Sequence, residues 1–147
     1  MVNPEPEYVR EIVQRTGVDR LQFHGEETDE FCAGFNLPYL KAIRVAEETD
    51  LREREREFPR CQGILLDTFV SDRYGGSGER FDWRLADYGG SKPLILAGGL
   101  HADNVAEAIS RVSPFGVDVS SGVETDGIKD DNKIRAFCRS VLQASHG

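Results

Sequence analysis

The sequence is short of cysteine and of long apolar runs, and each shortage removes a class of protein. Its 147 residues contain three cysteines, Cys32, Cys61 and Cys138. None of them forms a Cys-x-x-Cys pair, which argues against a zinc site and a disulfide framework. No apolar run approaches the ~20 residues that a membrane-spanning helix needs, and the first residues lack the features of a signal peptide. We therefore expect one soluble, cytoplasmic domain over residues 1–147.

Lysine is also scarce, and acidic residues outnumber all the basic ones. There are 18 basic and 26 acidic residues, and the net charge is −8. A negative protein repels the phosphates of nucleic acids and of anionic membranes. We therefore expect neither a nucleic acid nor a membrane among its partners. The scattered histidines and cysteines predict no metal site.

Short apolar strands alternate with segments of helical character. The strands are predicted at 20–24, 40–45, 63–68, 93–97 and 115–119. Asn3 is predicted to cap the first helix, with Pro4 at its first position. The charged stretch 47–57 is predicted to form a solvated helix with i,i+4 charge pairs. A short helix is expected near 83–88, and the last helix over 130–144.

Strands joined through helices predict a parallel sheet covered by helices, which is an α/β fold. Two architectures fit this pattern, an open doubly wound sheet or part of a (β/α)₈ barrel. A complete barrel needs ~200 residues or more. Barrels commonly bind a phosphate on the loops after strands seven and eight, and here glycines follow the last two strands. On that comparison the chain is a partial (β/α)₈ TIM barrel with five parallel strands, lacking the first three.

Two glycine turns come directly after the last two apolar strands. The first contains Gly98 and Gly99, and the second contains Ser121 and Gly122. Glycine lets the backbone approach a ligand closely, and clustered N–H groups favour an oxyanion. A plain tight turn is the alternative for each pair taken alone. Two such turns on consecutive strands favour a phosphate site.

Polar side chains at strand ends are the candidates for chemistry. Asp67 ends the third strand, where parallel α/β proteins keep their active sites, and it could act as a general acid. A helix cap or loop hydrogen bond is its alternative role. Asp118 is expected within the fifth strand, pointing into the barrel or towards a partner. Gln22 and His24 alternate along the first strand and are expected to face the same way, although a lone histidine is more often structural.

Six segments occur in an order that a known family shares. They are Leu21–Glu27, Leu65–Thr68, Tyr74–Gly78 with Phe81–Trp83, Leu96–Leu100, Asn104–Val105 and Pro114–Glu124. Together they resemble the phosphoribosylanthranilate isomerase family of tryptophan biosynthesis. The similarity extends over nearly the whole chain, whereas other phosphate-binding barrels share only the late glycine turns.

The resemblance implies an Amadori rearrangement of N-(5-phosphoribosyl)anthranilate into an aminoketose. In that family a general acid protonates the furanose ring oxygen and a general base removes the proton at C2, with no metal or organic cofactor. The resemblance makes Asp67 the general acid. It places Gln22, His24 and Asp118 around the substrate, and the phosphate on backbone groups near Gly98, Gly99, Ser121 and Gly122.

Two parts of the family's pattern have no match in these residues. The family's base is a cysteine in a Lys-Ile-Cys-Gly motif at the end of the first strand, and an early arginine holds the anthranilate carboxylate. The three cysteines of this chain lie in other segments. The chain is therefore expected to correspond to strands four to eight, with an N-terminal barrel fragment or self-association covering its open edges. A catalytically inactive phosphate-binding remnant is the alternative function.

Overall fold

The computed structural model describes residues 1–45, 49–67 and 88–144, and these residues contain a five-stranded sheet. The strands are β1 (Leu21–Phe23), β2 (Tyr39–Arg44), β3 (Gly63–Asp67), β4 (Leu94–Ala97) and β5 (Gly116–Val117). They lie side by side in chain order, and each is parallel to the next. The five predicted strands are thus confirmed, although β5 is shorter than the predicted stretch 115–119.

Five helices and one hairpin complete the described fold. The helices are α1 (Pro6–Thr16), α2 (Asp29–Ala33), α3 (Leu51–Arg56), α4 (Val105–Val112) and α5 (Asp131–Ala144). A 3₁₀ turn at Ser121–Val123 leads into an antiparallel hairpin, β6 (Glu124–Thr125) with β7 (Ile128–Lys129). No helix in the described ranges is long and apolar enough to cross a membrane.

The helices all pack on one face of the sheet. Side chains from each helix join alternate strand residues in one large core; the helix members include Val9, Cys32, Leu51, Val105 and Phe137. The opposite face carries a small separate cluster of Ala42, Leu65 and Ala97 with Ile95. A doubly wound sheet has helices on both faces and a reversal of strand order. The sequential order, with the described helices on one face, is instead that of a barrel wall.

The start of the first helix differs from the prediction. Helix α1 begins at Pro6 after Glu5, so a proline does lie at the first position, but it is not Pro4. Asn3 has a left-handed φ of 42° and caps no helix. Its Oδ1 accepts a hydrogen bond from the Glu26 N–H at 2.7 Å. The side-chain oxygen that would have capped the helix therefore binds a loop that is distant in the sequence.

The first residue lies beside the outer edge of β1. The Met1 amino group donates to the Gln22 carbonyl at 2.7 Å, and the His24 N–H donates to the Met1 carbonyl at 2.8 Å. These two bonds have the pattern of a parallel β-bridge between Met1 and Phe23. The bridge fixes the carboxyl end of β1 from its outer side.

The charged stretch is less solvated than predicted. Helix α3 begins only at Leu51, after Asp50, whose carboxylate accepts from the Arg52 and Glu53 amides at 2.9 and 3.0 Å. Leu51 and Glu55 are both buried. The prediction of a wholly solvated helix was wrong on this inner side, because a carboxylate can be buried when enough donors surround it.

Three buried carboxylates join separate segments of the chain, and each is held by hydrogen-bond donors. Glu27 pairs with Lys41 at 2.7 Å, and Asp29 pairs with Arg60 at 2.6 Å and with the Tyr39 hydroxyl. Burial raises the pKa of each carboxyl, but these donors outweigh it and leave the pKa below its usual value.

Glu55 is the third of these carboxylates. It accepts hydrogen bonds from the Tyr88 hydroxyl and from the Ser91 hydroxyl, the latter at 2.6 Å. Burial alone would raise the pKa of Glu55, but the bonds from Ser91 and Tyr88 bring it below the usual value. The network joins α3 to the segment that leads into β4.

We expect acid to unfold the domain through these three carboxylates. Because their folded pKa values are lowered, the unfolded chain takes up protons first as the pH falls. The stabilisation is complete above the ordinary glutamate pKa of 4.5 and is lost as the pH falls through the lowered folded values. Urea unfolding at stepped pH should show a falling free energy of unfolding below pH 4.5.

The Glu55→Gln variant tests this origin of the acid sensitivity. It should be less stable at neutral pH and lose less stability between neutral and acid pH, because one coupled carboxyl is gone. The matched control is Glu107→Gln, which changes an exposed glutamate paired with Arg111 on α4. An unchanged pH slope in Glu55→Gln would refute the assignment.

Candidate active site

The carboxyl ends of β1 and β3 bring an acid and an imidazole together. Asp67 is the last residue of β3, and His24 follows β1 directly. The His24 Nε2 lies 3.0 Å from the Asp67 Oδ2, and the two side chains are 26% and 17% exposed. The contact passes over β2, where Ala42 continues the register of His24 and carries only a small side chain between the ends of β1 and β3.

The contact between His24 and Asp67 does not have the geometry of an aligned hydrogen bond. The two atoms are close, but the His24 Nε2 is buried and has no aligned hydrogen-bond partner among the described residues. Buried polar atoms in folded proteins usually have a partner, and here the Asp67 carboxylate lies at that distance.

Gln22 and Arg44 share the face of the sheet that carries this pair. Gln22 lies in the middle of β1, exposed and two residues before His24, as the alternation predicts. Arg44 ends β2 in register with Asp67, so both point to the same side. Sequence reasoning missed Arg44, although the period-two pattern of β2 places it on the same face as Ala42.

The first glycine turn follows β4 at the level of Asp67. Asp67 is in register with Ala97, and Gly98 and Gly99 come next with φ values of 85° and 63°. Both values are in the left-handed region, which glycine adopts without strain. The Asn104 side chain closes the turn by donating to the Gly99 carbonyl at 2.9 Å. The turn is thereby held directly before α4.

The second glycine turn lies against the first. Ser121 and Gly122 belong to the 3₁₀ turn after β5. A Cβ at Gly122 would lie 1.8 Å from the Leu100 carbonyl oxygen, so only glycine fits there. Lys129 fixes the turn from the hairpin by donating to the Ser120 carbonyl at 3.0 Å. The two turns therefore form one continuous backbone surface at the same edge of the sheet.

Asp118 lies at this edge but outside the strand. It follows β5 rather than forming part of it, and its N–H donates to the Leu96 carbonyl at 2.8 Å. Its side chain is exposed. Continuing the β4–β5 register places it beside Ala97, on the face that carries Asp67.

A cavity of about 480 Å³ opens beside His24. Arg44 and Ala42 line it from β2, and Asp50 and Glu53 line it from the start of α3. Its described lining contains no residue of either glycine turn. Within the described ranges, no cluster of histidine, cysteine and acidic side chains could hold a metal ion.

Two of the three cysteines are buried in the core rather than at this edge. Cys32 and Cys61 are buried in the helix-covered core. Burial raises the pKa of the Cys32 thiol to about 12 and raises that of Cys61 as well. Neither thiol can act as a base at neutral pH. Cys138 is exposed on α5.

Some sequence features fall outside the described residues. These are Thr68, the glycine-rich segment 74–78, the segment 81–83 and all but the last residue of the helix predicted near 83–88. The site therefore rests on the ends of β1 to β5 and on the two glycine turns.

Comparison with known proteins gives a consistent result. The sequence profile of the family described as N-(5'phosphoribosyl)anthranilate (PRA) isomerase matches residues 1–140. An N-(5'-phosphoribosyl)anthranilate isomerase of Pseudomonas putida is 51% identical over 92% of this chain and 66% of its own length. That of Nitrosospira multiformis is 50% identical over 95% and 68%. The chain thus spans about two thirds of the length of these curated relatives.

Solved structures agree with the sequence matches. The phosphoribosyl anthranilate isomerase of Thermotoga maritima has a TM-score of 0.81 and 39% identity, covering 97% of this chain and 71% of its own. A second phosphoribosyl anthranilate isomerase structure contains reduced 1-(o-carboxyphenylamino)-1-deoxyribulose 5-phosphate, with a TM-score of 0.77, 35% identity and coverage of 97% and 69%. With its fold, its strand-end residues and these matches, the chain belongs to the N-(5'-phosphoribosyl)anthranilate isomerase family.

Proposed function

We propose that the polypeptide containing this sequence isomerises N-(5-phosphoribosyl)anthranilate to 1-(2-carboxyphenylamino)-1-deoxyribulose 5-phosphate. The observation that carries the proposal is the contact of Asp67 with His24 at the edge that also holds both glycine turns. The family match, and the analogue bound to a relative, supply the substrate class. The proposed location is the cytoplasm.

In the proposed mechanism Asp67 is the general acid. Its carboxyl donates a proton to the furanose ring oxygen, the bond from C1 to that oxygen breaks, and the nitrogen lone pair forms an iminium with C1. A base then removes the C2 proton, and the electron pair forms an enamine that tautomerises to the ketone. His24 contacts the Oδ2 of Asp67 and orients the acid. Neither buried cysteine, Cys32 nor Cys61, can be the base.

The proposed phosphate site is made of backbone groups. Gly98, Gly99, Ser121 and Gly122 bring their N–H groups to the edge beside α4, where the helix N-terminus adds positive potential. Gln22 and Asp118 are proposed to contact the rest of the substrate, since both share the inner face with Asp67.

The proposed partner is a polypeptide that adds strands to the edges of this sheet. Large apolar side chains are exposed at Tyr8 and Val18, before β1 in the chain, and at Phe115 and Ile128, on either side of β5 in the chain. Apolar groups at a sheet edge favour association. A fragment equivalent to the remaining third of the relatives, carrying the cysteine base, would cover these groups. Self-association of the chain is the competing outcome.

Reconstitution tests the function directly. The 147-residue chain is mixed with the N-terminal third of the Pseudomonas putida relative, and substrate and product are separated by chromatography. We expect turnover in the mixture, with a 1:1 complex on size exclusion, and little in the chain alone. The Asp67→Asn variant should lower turnover by about 10²- to 10⁴-fold, the typical contribution of general acid–base catalysis.

The matched control is Asp19→Asn, which changes an exposed aspartate before β1 at the opposite end of the sheet. Its turnover should equal that of the parent. If the folded complex binds the phosphorylated substrate without converting it, the isomerase proposal is wrong and the inactive phosphate-binding alternative is favoured. Equal turnover in Asp67→Asn would remove the proposed acid.

The Gly122→Ala variant tests the phosphate site. The added methyl group collides with the Leu100 carbonyl and must displace one of the two turns. Losing one hydrogen bond to a charged phosphate corresponds to about a 10- to 100-fold weaker interaction, so KM should rise by that factor with a smaller change in kcat. Steady-state kinetics of the reconstituted complex measures both constants.

Gly116→Ala is the control for this substitution. Its Cβ would meet only Ile95 Cγ1 at 3.9 Å, an ordinary contact, and Gly116 belongs to neither turn. Its KM should stay close to that of the parent. If Gly122→Ala also leaves KM unchanged, the phosphate is bound elsewhere.

A further inference from the structure

A buried ion pair lies beneath the loop that follows β1. The Lys41 Nζ is 2.7 Å from the Glu27 Oε2, and the two side chains are 1% and 2% exposed. Such a pair adds little net stability, because removing both charges from water offsets much of their attraction. Its hydrogen bonds to the surrounding backbone indicate that it fixes the position of the loop.

The pair binds both backbone polar groups of Gly25, the residue after His24. The Gly25 N–H donates to the Glu27 Oε2 at 2.9 Å, and the Lys41 Nζ donates to the Gly25 carbonyl at 2.6 Å. The other oxygen of Glu27 accepts from the Asn3 N–H at 2.8 Å. One carboxylate and one ammonium thus hold the loop to β2 and to the start of the chain.

The ion pair and the imidazole lie on opposite faces of the sheet. Lys41 is in register with Phe23 on the helix-covered face, whereas His24 lies on the face of Ala42 and Asp67. The pair therefore touches neither Asp67 nor the His24 ring. It acts on the ring through the peptide groups on either side of Gly25.

The state of Glu27 suits this role. Burial raises the pKa of its carboxyl, but the hydrogen bonds from Lys41 and from the Asn3 amide outweigh that effect and leave the pKa lowered. Glu27 is therefore an ionised acceptor at neutral pH, and an ionised acceptor makes the stronger hydrogen bonds.

We propose that Glu27 and Lys41 are positioning residues, which hold the His24 imidazole against Asp67 by fixing the backbone of Gly25. The catalytic value of that contact rests on the proposed function. The positioning itself does not, because the distance between His24 and Asp67 can be followed without substrate.

The test uses nitrogen-15 NMR of the full chain at one neutral pH. The His24→Asn variant identifies the His24 ring signals among the three histidines. The Asp67→Asn variant shows where the Nε2 signal lies once the carboxylate is gone. The Glu27→Gln/Lys41→Met double variant removes both buried charges together, so neither is left unpaired.

We expect the double variant to move the His24 Nε2 signal at least half of the way to its position in Asp67→Asn. The Gly25 amide should also exchange with solvent about tenfold faster or more, since its hydrogen bond to a charged acceptor is lost. The control is Asp29→Asn, which disrupts another buried carboxylate network, with Tyr39 and Arg60, and should leave the signal in place. If the double variant does not fold, Glu27→Asp provides the same comparison, because it keeps the charge and withdraws the carboxylate by one methylene.

Two results would overturn the inference. One is a His24 signal that stays in place while the Gly25 amide exchanges faster. The other is an equal movement in Asp29→Asn, which would make the effect one of general stability. A chain that shows the expected movement but gives no turnover on reconstitution would refute the proposed function and leave the positioning role intact.

Discussion

The structure depends on the parallel register of its five strands. With the strands in chain order and the helices on one face, alternation sends every second strand residue to the opposite face. The same register brings Asp67 level with Ala97, and so places the acid beside the turn that begins at Gly98. A slip of one residue in any strand would turn its polar end towards the helices. The register of the strands alone is thus enough to bring the residues of the candidate site to one edge and one face of the sheet.

Charge burial is the second constraint. Glu27, Asp29 and Glu55 each join their own segment to one that follows it in the chain, and each removes a carboxylate from water. Each is surrounded by donors, and each keeps a lowered pKa despite its burial. Among the described residues, the face of the sheet that carries Asp67 has a small apolar cluster around Leu65. Loop order near the site therefore depends on polar networks as well as on hydrophobic packing.

Much of this fold could be read from the sequence. Apolar strands at regular intervals predicted the parallel sheet, and the glycines after its last two strands favoured the barrel type. Predictions from local patterns were wrong where a side chain forms its hydrogen bonds with a residue distant in the sequence. Asn3 was predicted as a cap, but its side chain serves a loop 23 residues away. Glu55 was predicted to face solvent, but its partner Ser91 lies 36 residues along the chain.

Some features of the candidate site could likewise be predicted from the sequence, and others could not. The sequence predicted that Asp67, His24 and the glycine turns lie at the ends of strands, because the end of an apolar strand can be recognised from neighbouring residues. The position of Arg44 beside Asp67 follows from the register of β2 against β3, and the link from Lys41 to Gly25 is visible only in the three-dimensional contacts. Neither is encoded in a motif of adjacent letters.

The close approach of Gly122 to the Leu100 carbonyl has a mechanical consequence. With no side chain between them, the turns after β4 and β5 are in direct backbone contact, and neither can shift alone. An anion seated on one of them would find the other already in place. The two turns therefore act as one rigid unit. A change in the backbone of either turn would also change the shape of the other.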